Sequence, residues 1–99
     1  MNIIGLVVIN LFIEQHPDVR SSLNVWIKAT SKARWKNIIE IRQIYSHADA
    51  VGTCTVFNIK GNHYRLITKI NYRTQTVSIE KVLTHAEYDK AKWKKGCDR

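Results

Sequence analysis

The spacing of apolar positions changes period once along the chain, and the change separates a helical first half from a strand-forming second half. After an opening strand near residues 2–6, Val8, Leu11 and Phe12 share one helical face, and the short helix they predict stops before Pro17. Pro17 suits a helix first turn, and Val19, Leu23, Trp26, Ile27 and Thr30 continue at helical spacing, which predicts a second helix over about 17–30. Trp35, Ile38, Ile41, Arg42 and Tyr45 predict a third short helix to about Tyr45, capped by Thr30 or Ser31. From Thr53 the residues turn β-branched and aromatic, and 53–58, 63–72 and 76–83 read as strands. Alternation is clearest in Tyr64, Leu66, Thr68, Ile70, Tyr72 and in Val77, Ile79, Lys81, Leu83. Lys60-Gly61-Asn62 joins the first strand pair, where Gly and Asn tolerate positive φ, and Arg73-Thr74-Gln75 joins the second. Thr84-His85-Ala86-Glu87 matches the capping box of a fourth helix. The pattern predicts an α+β fold, with N-terminal helices packed on a small, mainly antiparallel β-sheet and a short C-terminal helix.

Composition narrows this to one globular domain over residues 1–99, with a basic C-terminal tail over about 91–99. A chain that is 44% hydrophobic and 24% charged with a single proline fits neither the disordered nor the collagen-like class. The apolar run over residues 3–13 is about half the length needed to cross a bilayer. No basic residue precedes it and no small-x-small cleavage site follows, so it reads as a buried strand running into a helix, with no membrane partner. Cys54 and Cys97 have no second Cys or His at zinc-ligand spacing, so no metal site and no cofactor are expected. A disulfide between them stays open, but Cys54 reads as a small buried hydrophobe in a strand and Cys97 as a free thiol in a loose tail. Those readings point to a reducing cytoplasm.

Charge adds a partner class. The formal net charge is +8, with 6 Lys/Arg against 4 Asp/Glu in residues 1–50 and 10 against 4 in residues 51–99. A polyanion, nucleic acid first, should therefore meet the second half. Lys90, Lys92 and Lys94 in the tail read either as backbone-phosphate contacts or as a solvated helix end. No helix carries the turn and basic spacing of a recognition helix, which weakens a DNA-binding reading.

Two short blocks hold most of the chemistry: Phe57 to Ile67, with its Lys, Asn, His and Arg around a turn, and Thr84 to Lys90. Cleaving RNA without a metal requires a base for the 2′-hydroxyl, charge stabilisation on the phosphorane, and an acid for the departing 5′-oxygen. His85 or Tyr88 can move the proton, Lys60 and Arg65 can stabilise charge, and His63 is a further acid or base. In a helix first turn His85 meets unpaired amides and the positive end of the dipole, which favours a neutral imidazole. Tyr88, three residues on, projects from the same side. Asn62, His63, Tyr64, Arg73, Lys90, Lys92 and Lys94 are the expected RNA contacts, with Asn62 shaping the turn. Singly, each has a plainer explanation. Lys60 can be a solvated turn residue, Arg65 can pair with Glu80 across the sheet, and His63 can be strand surface. His85 can be only a helix start, and Tyr88 can pack with its hydroxyl wet.

Taken in order, the residues resemble the HigB toxins. The resemblance runs through Val56-Phe57-Asn58-Ile59-Lys60-Gly61-Asn62-x-Tyr64-Arg65-Leu66, Ile70-Asn71-Tyr72 and Thr84-His85-Ala86-Glu87-Tyr88-Asp89. Earlier positions agree as well: His16-Pro17-Asp18, Trp26, Trp35-Lys36 and Ala48-Asp49-x-Val51-Gly52 are similar to that family's helical half. The resemblance implies a RelE-like fold and a bacterial type II toxin that cleaves mRNA, usually on the ribosome. It also implies a HigA-like helix-turn-helix antitoxin as partner. Family positions carry over at Lys60, Asn62, Tyr64, Arg65, His85 and Tyr88. One departure is Gly5-Leu6-Val7-Val8, where relatives commonly show polar and basic residues. The alternative from another class is a noncatalytic RNA- or ribosome-binding module whose basic sheet holds phosphates without cutting.

Overall fold

The change of period near Thr53 falls where the helical layer ends and the central strands begin. The computed structural model describes residues 1–98. In chain order its elements are β1 (Asn2–Ile4), α1 (Leu6–Gln15), a 3-10 turn (Pro17–Val19), α2 (Arg20–Lys32) and α3 (Ile38–Arg42). There follow β2 (Asp49–Val51), β3 (Cys54–Ile59), β4 (Tyr64–Asn71), β5 (Thr76–Thr84), α4 (His85–Asp89) and a 3-10 helix (Lys92–Cys97).

Local chemistry explains where this departs from the periodicity. Pro17 opens the 3-10 turn, and the second helix proper starts at Arg20 and runs to Lys32. The third helix is shorter than its apolar pattern, because its cap is Asn37 rather than Thr30 or Ser31. The Asn37 Oδ1 accepts the Glu40 N–H at 3.1 Å and the Glu40 Oε1 accepts the Lys36 N–H at 3.0 Å. Trp35 therefore precedes the helix and still lies buried. The edge strand β2 is new, and three residues are too few to show alternation.

The sheet order is β1-β5-β4-β3-β2. β3, β4 and β5 form the expected antiparallel meander, β2 extends it antiparallel at one edge, and β1 adds a parallel edge at the other, Asn2 opposite Thr76 and Ile4 opposite Ser78. The α+β fold with N-terminal helices, mixed sheet and short C-terminal helix agrees with the expectation. Between β4 and β5 the register slips: Ile67 faces Lys81 and Thr68 faces Ile79, so Glu80 is the extra residue of a bulge.

Strand alternation gives the sheet two different faces. The helical side holds the main core, in which Phe57 meets Trp26 at 5.4 Å, Tyr45 at 5.5 Å and Trp35 at 6.2 Å between ring centroids. Each such aromatic contributes about 1.5–3 kcal/mol by leaving water. On the opposite side Cys54, Val56, Ile67, Trp93 and Cys97 form a second, smaller core. Here the sequence expectation is corrected. Cys97 is no free thiol in a loose tail: it is disulfide-bonded to Cys54, with Cα atoms 5.2 Å apart. The pairing arises because the 3-10 helix folds back over β3, where the Thr53 N–H and hydroxyl donate to the Cys97 carbonyl at 2.8 and 3.1 Å. Cys54 is buried as its strand position predicts. Of the basic tail over 91–99, Arg99 lies outside the described residues.

Candidate active site

Register brings the two chemical blocks together. Tyr64 stands opposite Thr84 and Arg65 opposite Leu83, and the His85 N–H donates to the His63 carbonyl at 3.0 Å, so the hairpin turn and the start of α4 share one end of the sheet. The capping box forms as predicted: the Thr84 hydroxyl accepts the Glu87 N–H at 3.2 Å and the Glu87 carboxylate accepts the Thr84 N–H at 3.0 Å.

At that junction Arg65 is only 7% exposed. Its Nη1 donates to the carbonyls of Asn62 and Tyr64, each at 3.1 Å, and its Nη2 donates to the Asn62 Oδ1. The guanidinium lies 5.0 Å from the centroid of the Tyr88 ring. Glu80, its expected cross-strand partner, instead approaches Lys69 at 3.9 Å and accepts the Ser78 hydroxyl. Among the described residues no carboxylate lies within ion-pair distance of Arg65. A guanidinium carries five N–H donors. Two of them are therefore left for an acceptor from outside.

The turn owes its shape to Lys60 and Gly61, at φ 53° and 64°, and Asn62 needs no left-handed conformation. Asn62 is thus a holder of Arg65 through both its carbonyl and its side chain. On the other face of the sheet, Lys60 and Tyr64 converge on Asp18: the Lys60 Nζ lies at 2.9 Å and the Tyr64 hydroxyl donates at 2.7 Å. Phe12, His16 and Tyr64 pack as an aromatic trio that fixes this phenol, with Phe12 stacked on His16 at 4.4 Å. These contacts hold the Asp18 carboxyl below its usual range, the Lys60 hydrogen bond first and the Tyr64 hydrogen bond second. The same carboxylate raises the Tyr64 phenol.

The His85 Nε2 lies 3.4 Å from Asp89 one helical turn on, and both side chains are exposed. Tyr88 stacks on Trp93 at 4.8 Å, with rings 16° apart, and its carbonyl accepts the Trp93 Nε1–H at 2.9 Å. Lys90 and Lys92 line a cavity of about 250 Å³ with Lys81, Leu83, Glu87 and Trp93, while the Lys94 ammonium lies 5.9 Å from the Trp93 ring centroid. His63 is exposed in the turn. Arg73 is not brought to this junction: it sits in the β4–β5 turn, beyond the far end of strands that span roughly 20 Å. A cavity of about 600 Å³ also lies at that far end, between Met1, Arg34, Lys36 and Tyr72, away from all the paired chemistry.

Asn62 as the Arg65 holder and Trp93 as the Tyr88 support escaped sequence reasoning. A tryptophan set among four tail lysines was the available signal for the second. For the first there was none, since turn asparagines are common for backbone reasons.

A small mixed sheet with N-terminal helices packed on one face and a short C-terminal helix after its last long strand matches the architecture of RelE-like toxins. The chain belongs to the HigB toxin family: the family described as "HigB_toxin, RelE-like toxic component of a toxin-antitoxin system" matches residues 19–91. Comparison with curated proteins returns no match. Among the described residues no three His, Cys, Asp or Glu side chains gather as a metal-binding group, and no helix is long and apolar enough to cross a membrane.

Proposed function

We propose that this toxin is an mRNA endoribonuclease that acts at the hairpin–helix junction. A single feature carries the reading: Arg65 is a nearly buried guanidinium with no carboxylate partner and two spare donors, stacked on the Tyr88 ring. Burying an uncompensated cation costs stability, and an incoming phosphate supplies the missing counter-charge. In this reading the 2′-hydroxyl oxygen attacks the adjacent phosphorus, the 5′-oxygen leaves, and a 2′,3′-cyclic phosphate and a 5′-hydroxyl result. His85 is the leading general acid or base, Arg65 and Lys60 stabilise the phosphorane charge, and Tyr88 orients the phosphate or protonates the leaving oxygen. Lys60, paired with Asp18 on the other face of the sheet, joins the site by exchanging that carboxylate for the phosphate across the edge of the turn. Asn62, His63, Lys90, Lys92 and Lys94 are the proposed RNA contacts, Tyr64 being buried on the other face and Arg73 lying at the far end of the strands, with ribosome-bound message the proposed substrate and a HigA-like helix-turn-helix antitoxin the proposed inhibitor. The cytoplasm is the proposed location, where message and ribosomes are found.

The test is induced expression followed by mapping of cellular RNA ends. The wild type should produce new cyclic-phosphate ends within codons and arrest growth, and coexpression of a HigA-like helix-turn-helix antitoxin should relieve both. Arg65→Ala and His85→Ala should each lower cleavage by about a hundredfold or more. Undiminished cleavage by both would overturn the site, and stable RNA with tight, salt-sensitive binding by the wild type would favour the noncatalytic module.

A further inference from the structure

The C-terminal 3-10 helix sits against Tyr88, yet little within it explains why it stays there. It has six residues and 3-10 hydrogen-bond geometry, which is poor over that length. It is entered through Ala91 at φ 58°, a conformation that a residue with a Cβ adopts reluctantly. What retains it is tertiary and concentrated at Cys97. The disulfide ties Cys97 to Cys54 of β3, and the Cys97 carbonyl takes two hydrogen bonds from Thr53. Gly52 leaves room for that carbonyl: at φ 57°, a Cβ there would lie 2.1 Å from the Cys97 oxygen. Four residues before this anchor, Trp93 is 3% exposed, stacks on Tyr88 and donates to its carbonyl. Arg65 lies against the Tyr88 ring in turn. The chain of contacts runs from the disulfide through Trp93 and Tyr88 to Arg65 without a gap.

We propose that Trp93 is a positioning residue for the Tyr88–Arg65 pair, and that the Cys54–Cys97 disulfide is the redox latch that keeps it in place. The proposal rests on the endoribonuclease reading for its consequence, though its structural half does not. Opening the latch requires a dithiol. One thiolate attacks either sulfur, the Cys54–Cys97 bond breaks and a mixed disulfide forms. The second thiol of the reagent then expels the remaining protein sulfur. The protein gains two electrons and two protons as two thiols, and the dithiol leaves as its own disulfide. With Cys97 released, the strained Ala91 entry and the weak 3-10 bonds favour departure of the helix, Trp93 leaves the Tyr88 ring, and the pair loses its support. Intracellular disulfides of mesophiles, where found, are commonly transient and redox-sensing, which is how this one would act under reducing conditions.

The experiment compares the oxidised full-length chain with the same protein treated with dithiothreitol, thiol trapping and intact mass reporting the state of the bond. Amide hydrogen exchange over residues 85–97 reports the helix, and steady-state cleavage of unmodified message on ribosomes gives kcat and KM. Reduction should speed exchange over 92–97 while β3 to β5 stay protected, and should lower kcat by about tenfold with KM little changed, as expected for displaced groups acting in the transition state. Trp93→Ala should reproduce that split in oxidised protein, and Trp93→Phe, which keeps a ring over Tyr88 but loses the donor, should recover part of it. The Cys54→Ser/Cys97→Ser variant should show the low kcat and ignore dithiothreitol. A bond that resists the dithiol overturns the latch, as does unchanged exchange over 92–97 after reduction. Full kcat in trapped, reduced protein overturns the positioning role. If the oxidised wild type cleaves nothing, the endoribonuclease reading falls by itself, and the exchange arm still decides the latch.

Discussion

Arg65 is held by three neighbours, Asn62, Tyr64 and Tyr88, that differ in what they can lose. A lysine at this position keeps the charge but lacks the planar fork that reaches both the Asn62 carbonyl and its Oδ1 while lying against Tyr88. Arg65→Lys should therefore lower kcat by about a hundredfold, with the melting temperature within a few degrees of wild type. Asn62→Ala leaves the guanidinium its two carbonyl contacts and removes the side-chain acceptor. A drop in kcat of about tenfold is expected, and unchanged steady-state constants would show that Asn62 only shapes the turn. Asp18 offers a test of a different kind. Its folded carboxyl is held below the ordinary 3.8, chiefly by Lys60 and then by Tyr64. A depressed folded value means that the stabilisation is fully present above the unfolded value and disappears as pH falls through the folded one. Tyr64, raised above its ordinary 10.0 chiefly by the same hydrogen bond, remains a donor throughout that window. Urea unfolding of wild type and Asp18→Asn should thus differ at pH 7 and begin to converge only as the pH falls below about 4. A gap independent of pH would remove the electrostatic account of this tether.

Among the helices, α4 is the one whose start is readable from the sequence to the residue. The Thr84-x-x-Glu87 spacing states its own hydrogen bonds, and both form. Thr84→Ala should cost about 1 kcal/mol. In a domain of this size that lowers the melting temperature by roughly 4–8 °C. An intact melting temperature would mean that tertiary contacts, not the cap, set the helix start. The strands β3 to β5 were equally legible, because each is long enough for alternation to repeat and each joins its neighbour through a short turn. What escaped prediction is either too short for alternation to show or depends on a partner far away in sequence. β2 has three residues beside its mate β3, and the parallel pairing of the expected opening strand β1 is with β5, more than seventy residues on. The 3-10 helix exists only against the second face, and 43 residues separate its cysteine from its partner. The same division runs through the site. Residue types and their order pointed to Arg65, Lys60, His85 and Tyr88, but side-chain pairing is set by strand alternation plus register. That is why Arg65 turned to Asn62 and Tyr88 rather than to Glu80, and why Lys60 shares Asp18 with Tyr64 on the other face.

Across the molecule as a whole, the excess positive charge of the second half is not spread evenly over the sheet. Lys60 and Lys69 are each paired with a carboxylate, whereas Lys81, Lys90 and Lys92 have no ion pair among the described residues and gather around one cavity. Glu87, the one acid lining that cavity, already has its carboxylate on the Thr84 amide. Leu83 lies in the cavity floor and directly opposite Arg65, so the lysine cluster adjoins the proposed cleavage site one strand away. An RNA strand crossing the Arg65–Tyr88 pair would place neighbouring phosphates against these lysines. Each phosphate neutralised releases counterions, which makes affinity fall with salt by an amount that counts the contacts. Binding of a short 2′-O-methyl RNA, which lacks the attacking hydroxyl, isolates this from chemistry. Changing Lys81, Lys90 and Lys92 to Gln should weaken binding and reduce the slope of log affinity against log salt by about 2 for single-stranded RNA. The control carries Arg20→Gln, Lys28→Gln and Lys32→Gln, all exposed on α2 across the sheet, and has the same net charge. If net charge alone drew the RNA, the two triple variants would lose slope equally. A loss confined to the cavity lysines is expected, because counterion release is local to the phosphates that make contact.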